Sequence, residues 1–180
     1  MPGTERLGVT RREVLSGAAL ALGALALLPR SLRAADAKFA LPKAIELALD
    51  KSKLVYVSPL KSDGRESTCH GEVWYFFDRG AVVLATATKG WKTRAVKSGK
   101  DKARIWVGDY GPYSSASEKL ATAPTFLASA AVDTDKEAFA RLLASYAIRY
   151  PDEWGKWKPR FESSYADGSR TVIRYTPLGA

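Results

Sequence analysis

Between Leu84 and Gly108 the sequence reads LATATKGWKTRAVKSGKDKARIWVG. An apolar run ends in two hydroxyl residues, Thr86 and Thr88, and a helical pattern begins at once, with Lys92 and Arg94 in its first turn. Hydroxyls, helix N-terminal amides and paired cations in one place are the components of a phosphate site. The amides donate along the helix dipole, the hydroxyls donate from the side, and Lys and Arg neutralise the charge. The same residues would also make an ordinary solvated basic helix face, and the stretch has no glycine-rich loop of nucleotide-binding type, so by themselves they leave both readings open. The remaining chemistry-bearing residues are sparse. Cys69 and His70 are each unique and adjacent; together they cannot build a tetrahedral zinc site, and no metal site is read. Cys69 reads as a small core residue and His70 as a structural one. Tyr110 and Tyr113 fall in a Gly/Ser/Tyr-rich stretch that could line a mouth. No acid–base pair stands out, so no catalytic residue is assigned.

The elements that must position these residues follow from periodicity and turn signals. A short helical pattern follows Pro42, with proline at the first turn, where it costs no hydrogen bond. Lys53–Pro59 alternates as a strand, and Asp63-Gly64 marks a hairpin turn. Cys69–Phe77 reads as the next strand, Ala81–Thr86 as the third, Lys89–Ser98 as a short helix closed by Gly99, and Ala103–Val107 as the fourth strand. Gly108–Ser117 reads as a loop, and Leu120–Val132 as a fifth strand interrupted near Pro124. Thr134 and Glu137 have the spacing of a capping box ahead of a helix that runs to about Arg149 and stops at Pro151. A segment with Trp154, Trp157 and Phe161 follows, where the tryptophans read as packing residues. Asp167-Gly168 then turns into a last strand, Thr171–Thr176. The expectation is a mainly β (α+β) chain: a six-stranded antiparallel barrel, closed or nearly so, with a short mid-chain helix and one helix before the last strand.

The chain has 180 residues and a net charge of +9. Its start resembles a twin-arginine export signal: Arg11-Arg12, the apolar Val14-Leu15, the 12-residue stretch Gly17–Leu28, and the small-residue site Ala35-Asp36-Ala37. That apolar stretch is too short for a permanent membrane anchor. Residues 1–37 are therefore read as a signal engaging the twin-arginine machinery through Arg11 and Arg12. Residues 38–180 are read as one periplasmic domain exported in folded form. Most of the positive charge belongs to that domain, which favours anionic partners. Export removes it from cellular nucleic acid, so nucleic acid is not expected as a partner. With one cysteine, no intramolecular disulfide can form.

Taken in order, these features resemble the flavin-binding split barrels related to pyridoxamine 5′-phosphate oxidase. The resemblance covers most of Lys43–Pro177. It rests on the Asp-Gly hairpin leading to Val73-Trp74, the strand ending in Thr86 followed by Lys92-Thr93-Arg94, Tyr150-Pro151 with its aromatic segment, and the closing Arg174-Tyr175-Thr176-Pro177. It implies a split β-barrel, FMN as cofactor, a homodimer with the cofactor at its interface, and flavin-dependent oxidoreduction of a small-molecule substrate left unnamed. By position, Thr86, Lys92 and Arg94 are the phosphate candidates, with Thr88 and Trp91 beside them, and Val73 and Trp74 lie on the strand next to the ring. The substrate-phosphate residues of a true pyridoxamine 5′-phosphate oxidase are not seen. Two alternatives stay open. One is a split barrel holding deazaflavin or, with His70 as its one imidazole, haem; the other is a non-catalytic barrel that binds anions through Lys89, Lys92, Arg94, Lys97, Lys100, Lys102 and Arg104.

Overall fold

The structure is a computed structural model and describes residues 40–179; the proposed export signal lies outside the described residues. Pro42 opens α1 (Lys43–Lys51), which buries Ile45 and Leu49. The alternating segment forms β1 (Leu54–Pro59). After the hairpin at Gly64 come β2 (Gly71–Trp74), β3 (Phe76–Asp78) and β4 (Ala81–Ala87). Arg79 and Gly80, with φ of 53° and 81°, make the two-residue turn between β3 and β4, the left-handed geometry that suits a tight hairpin. The remaining elements are α2 (Trp91–Lys97), β5 (Lys102–Val107), α3 (Tyr113–Leu120), β6 (Thr125–Val132), α4 (Ala138–Arg149), α5 (Pro151–Ala166) and β7 (Arg170–Pro177).

The described residues contain seven strands, not six, in one sheet of order β2-β1-β5-β6-β7-β4-β3. Every neighbouring pair is antiparallel. The two edge strands, β2 and β3, are consecutive in the chain and separated by Tyr75 alone. The sheet is therefore curled into a nearly closed barrel whose seam is spanned by one residue. The segment Cys69–Phe77, expected as one strand, is broken at Tyr75 into β2 and β3 for a visible reason. The Tyr75 N–H leaves the ladder and donates to Tyr150 Oη at 3.0 Å. The Tyr75 hydroxyl reaches the carbonyls of Leu49 and Ser52 at the end of α1. Arg149 donates to the same carbonyls and to Tyr75 Oη.

Two apolar layers hold the barrel. Inside it, Leu49, Val55, Val57, Tyr75, Val82, Leu84, Ile105 and Tyr175 pack together. On the opposite face of β4 and β7, Val83, Ala85 and Val172 meet Phe139, Leu142, Tyr146, Tyr150, Trp154 and Phe161 of the α4–α5 region. Covered on both faces, β4 carries the unbroken apolar run Ala81–Ala85 instead of an alternating pattern.

Three local expectations change. The stretch read as a loop at Gly108–Ser117 gives way to α3, which also takes Leu120 out of the fifth strand; Ala116 and Leu120, four residues apart, bury one side of α3 beside Tyr56. The capping box is not formed. α4 starts at Ala138 without a side-chain cap, and the carboxylates of Asp133 and Asp135 accept the amides of Asp135 and Glu137 instead. The tryptophan segment is a helix in its own right: Pro151 ends α4 and also opens α5, with Asp152 and Glu153 in its first turn.

Candidate functional site

α2 begins directly after β4, so Thr86, Thr88, Lys92 and Arg94 all lie on one strand-to-helix junction. Its geometry separates them. Lys92 is partly buried, and its ammonium lies 4.1 Å from the centroid of the Trp91 ring. Desolvation pushes its pKa down to about 8, against the raising pull of Glu72. Among the described residues Lys92 makes no ion pair. The Glu72 carboxylate accepts the Tyr113 amide at 3.0 Å. Arg94 is exposed and donates to the Lys89 carbonyl. The Thr88 hydroxyl donates to the Gly168 carbonyl at 2.7 Å, so its proton is already engaged. Thr86 stands opposite Thr171 in the β4–β7 ladder. Thr93 is fully buried and donates to the Ala87 carbonyl at 2.9 Å, tying α2 back to β4.

β2 approaches this junction from the other edge. A methyl group placed on Gly71 would meet the Trp91 ring at 4.0 Å, so Trp91 packs against the start of β2. Trp74 lies at the centre of an aromatic cluster. It stacks on Tyr150 at 4.2 Å with planes 4° apart and meets Tyr146 and Trp157 edge-on. Its carbonyl accepts the Tyr146 hydroxyl at 2.7 Å. Beside it opens a cleft of about 270 Å³ lined by Val73, Trp74, Ala85, Tyr146, Trp157, Phe161 and Arg170. The structure thus brings Val73 and Trp74 together on this cleft, whereas Trp91 meets β2 at Gly71 and is not among the residues lining it.

Sequence reasoning missed Arg170. It follows the Asp167-Gly168 turn, opens β7, and lies over the Phe161 ring at 4.2 Å. Its only sequence signal is a cation at the head of an apolar strand. The spacing of Trp154, Trp157 and Phe161, a helical repeat, was the available sign that α5 would carry aromatic residues to the cleft.

One other residue departs from expectation. Cys69 is exposed, not in the core. It precedes β2, in a segment where Ser67 Oγ accepts its amide. His70 stacks on Tyr113 with ring centroids 3.6 Å apart, and its Nδ1 lies 3.3 Å from the Ser67 carbonyl. Tyr113, the first residue of α3, also belongs to an aromatic group with Tyr56 and Tyr110. Among the described residues no three His, Cys, Asp or Glu side chains are grouped to hold a metal, and no helix is long and apolar enough to cross a membrane.

No family model and no curated protein matches the chain. Solved structures do. A conserved hypothetical protein, Rv2991 from Mycobacterium tuberculosis, is 20% identical over 79% of this chain and 84% of its own, with a TM-score of 0.53. ChuZ from Campylobacter jejuni is 9% identical over 75% of this chain and 52% of its own, with a TM-score of 0.51. A Bacteroides thetaiotaomicron protein named for 5-nitroimidazole antibiotic resistance is 10% identical over 77% and 81%, also at 0.51. What these structures share with the chain is its fold, an antiparallel, nearly closed barrel-like sheet with helices packed on it.

Proposed function

We propose that the chain is an exported flavoprotein: a homodimeric split barrel that binds FMN and carries out oxidoreduction on a small molecule. The observation that carries this reading is Lys92, a desolvated ammonium without an ion-pair partner among the described residues, at the junction where a helix starts. Partial burial of a cation without a counter-ion is costly, and a phosphate that completes it relieves that cost. The residues present fit such a group. Lys92 and Arg94 supply charge, the first-turn amides of α2 supply donors, and Thr86 supplies a hydroxyl. Thr88 would have to release the Gly168 carbonyl to donate, which makes it the weaker partner. Val73, Trp74 and Trp91 offer the apolar and aromatic surface a flavin ring needs, with the rigid Trp74–Tyr150 stack behind it.

When bound, FMN supplies hydride or electron exchange at N5. The protein's part is to hold the phosphate, present a flat apolar wall and exclude water from it. Nothing in the cleft offers a carboxylate or imidazole as proton donor. The reading also takes in export through Arg11 and Arg12 and pairing of two chains.

The test is an absorption spectrum of the full-length protein, with and without added FMN. A flavin band, with FMN identified by mass after release, is the expected result. A colourless preparation that also refuses added FMN overturns the reading, and a deazaflavin or haem spectrum reassigns the cofactor.

A further inference from the structure

The cleft beside Trp74 is lined by aliphatic and aromatic side chains with a single charged group, the Arg170 guanidinium. Five arginines among the described residues are partly buried: Arg104, Arg141, Arg149, Arg170 and Arg174. Arg104, Arg141 and Arg174 face carboxylates, and Arg149 donates through Nη2 to the oxygens of Leu49, Ser52 and Tyr75; the Nε groups of Arg141 and Arg149 are buried without a partner, away from the cleft. Arg170 has neither arrangement. Its Nε–H donates to Ser164 Oγ at 2.8 Å and its Nη1 reaches the Ala85 carbonyl at 3.5 Å, at the limit of a hydrogen bond. Its Nη2 has no partner among the described residues. Desolvation lowers its pKa from the usual arginine value, against a raising effect of Tyr146. The guanidinium is fixed by Ser164 and by the Phe161 face, and one edge of its fork is left for a ligand.

The walls specify the rest of that ligand. The Trp74 and Phe161 rings are parallel within 1°, with centroids 6.4 Å apart, and Trp157 stands edge-on to Trp74. A flat molecule lying on one ring is parallel to the other. At about 270 Å³ the cleft falls just below the ~300–1,000 Å³ of sites that take drug-sized ligands, so the ligand is small. A planar, forked donor matches a carboxylate better than a point acceptor.

We infer that this cleft seats a small planar aromatic carboxylate, its carboxylate on Arg170 and its ring against Trp74 and Trp157. As the substrate seat of a flavoprotein it rests on the reading above, since Val73 and Trp74 border both the cleft and the proposed path of the flavin ring. As an anion-selective aromatic cleft it stands without flavin.

The experiment is a calorimetric titration of the full-length protein, without added flavin, using 2-naphthoate and the neutral 2-naphthamide of nearly the same shape. The acid is expected to bind roughly tenfold or more tightly than the amide, the scale of a charge-assisted hydrogen bond. Arg170→Gln removes that preference and Lys92→Gln leaves it. Equal affinities, no binding of either compound, or a preference that survives Arg170→Gln overturns the assignment. So does a preference lost in Lys92→Gln alone, which would place the anion at α2. Should Arg170→Gln fail to fold, Arg170→Lys carries the test. Losing the fork then weakens the acid by about threefold or more with the amide unchanged, and an unchanged acid affinity overturns the assignment. FMN binding is followed by absorption on the same preparation: acid preference without FMN binding removes only the flavin reading, and FMN binding without acid preference removes only the cleft assignment.

Discussion

Lys92 sits where burial and charge oppose each other. Desolvation favours its neutral form, Glu72 favours the ammonium, and the balance lies at about 8. A bound phosphate favours the ammonium strongly, so binding couples to protonation. FMN affinity is expected to be highest below pH 8 and to fall as the pH rises through the free protein's Lys92 value, because above it a proton must be taken up on binding. A fluorescence titration of FMN between pH 6.5 and 9.5 checks this, and in Lys92→Gln that slope should vanish. Replacing Lys92 and Arg94 together by Ala should weaken FMN by about 2–4 kcal/mol through loss of charge-assisted hydrogen bonds. Unchanged affinity in the double variant would remove the phosphate from α2.

At the scale of elements, α4 is fastened to the barrel by a charged network and not by its predicted cap. Asp78 ends β3, is nearly fully buried, and accepts from Arg141 of α4 at 2.9 Å and from Arg174 of β7 at 2.7 Å. Arg174 also meets Asp133, and Arg141 meets Asp135. Burial pushes the Asp78 carboxyl up, but hydrogen bonds from Arg141 and Arg174 outweigh it and hold the group below the usual carboxylate range. Its stabilising effect is therefore complete above the unfolded carboxylate value and is lost as the pH falls through the lower folded value. Asp78→Asn should cost about 3 kcal/mol at neutral pH, since it leaves two partly buried guanidinium groups short of an anion. Urea melts should show the gap between variant and parent closing towards pH 2. A gap independent of pH would assign the loss to packing.

The described residues form a nearly closed barrel whose seam is one residue wide. Because β2 and β3 are successive in the chain yet lie at opposite ends of the strand order, Tyr75 is where the curled sheet is joined, and Tyr150, Arg149 and the end of α1 converge on it. The α2 junction and the aromatic cleft both border β2 and thus depend on that seam. Export belongs to this scale as well, since a twin-arginine route would carry the barrel already folded. Changing Arg11 and Arg12 together to Lys should leave the full-length protein in the cytoplasm of an expressing cell on fractionation. Unimpeded export of that variant would remove the twin-arginine reading.

Periodicity by itself determined most of the barrel. The alternation in Leu54–Pro59, the apolar run at Ala81–Ala85 and the turns at Gly64 and Gly168 are local signals, and local sterics decide them. The basic turn of α2 was legible for the same reason: its residues are neighbours in sequence. The seam at Tyr75 was not, because its cause is a hydroxyl 75 residues away. α3 was hidden by a polar composition, with Ala116 and Leu120 giving it only a narrow apolar stripe. The capping box at Thr134 had the right spacing, but two nearby aspartates took the amides. Arg170 could be read as a surface cation until the fold placed aromatic rings around it and left it without a carboxylate. Sequence fixes what each short segment prefers; only tertiary packing decides which groups lose their water and which of those keep a partner, and in this protein the candidate chemistry rests on that second decision.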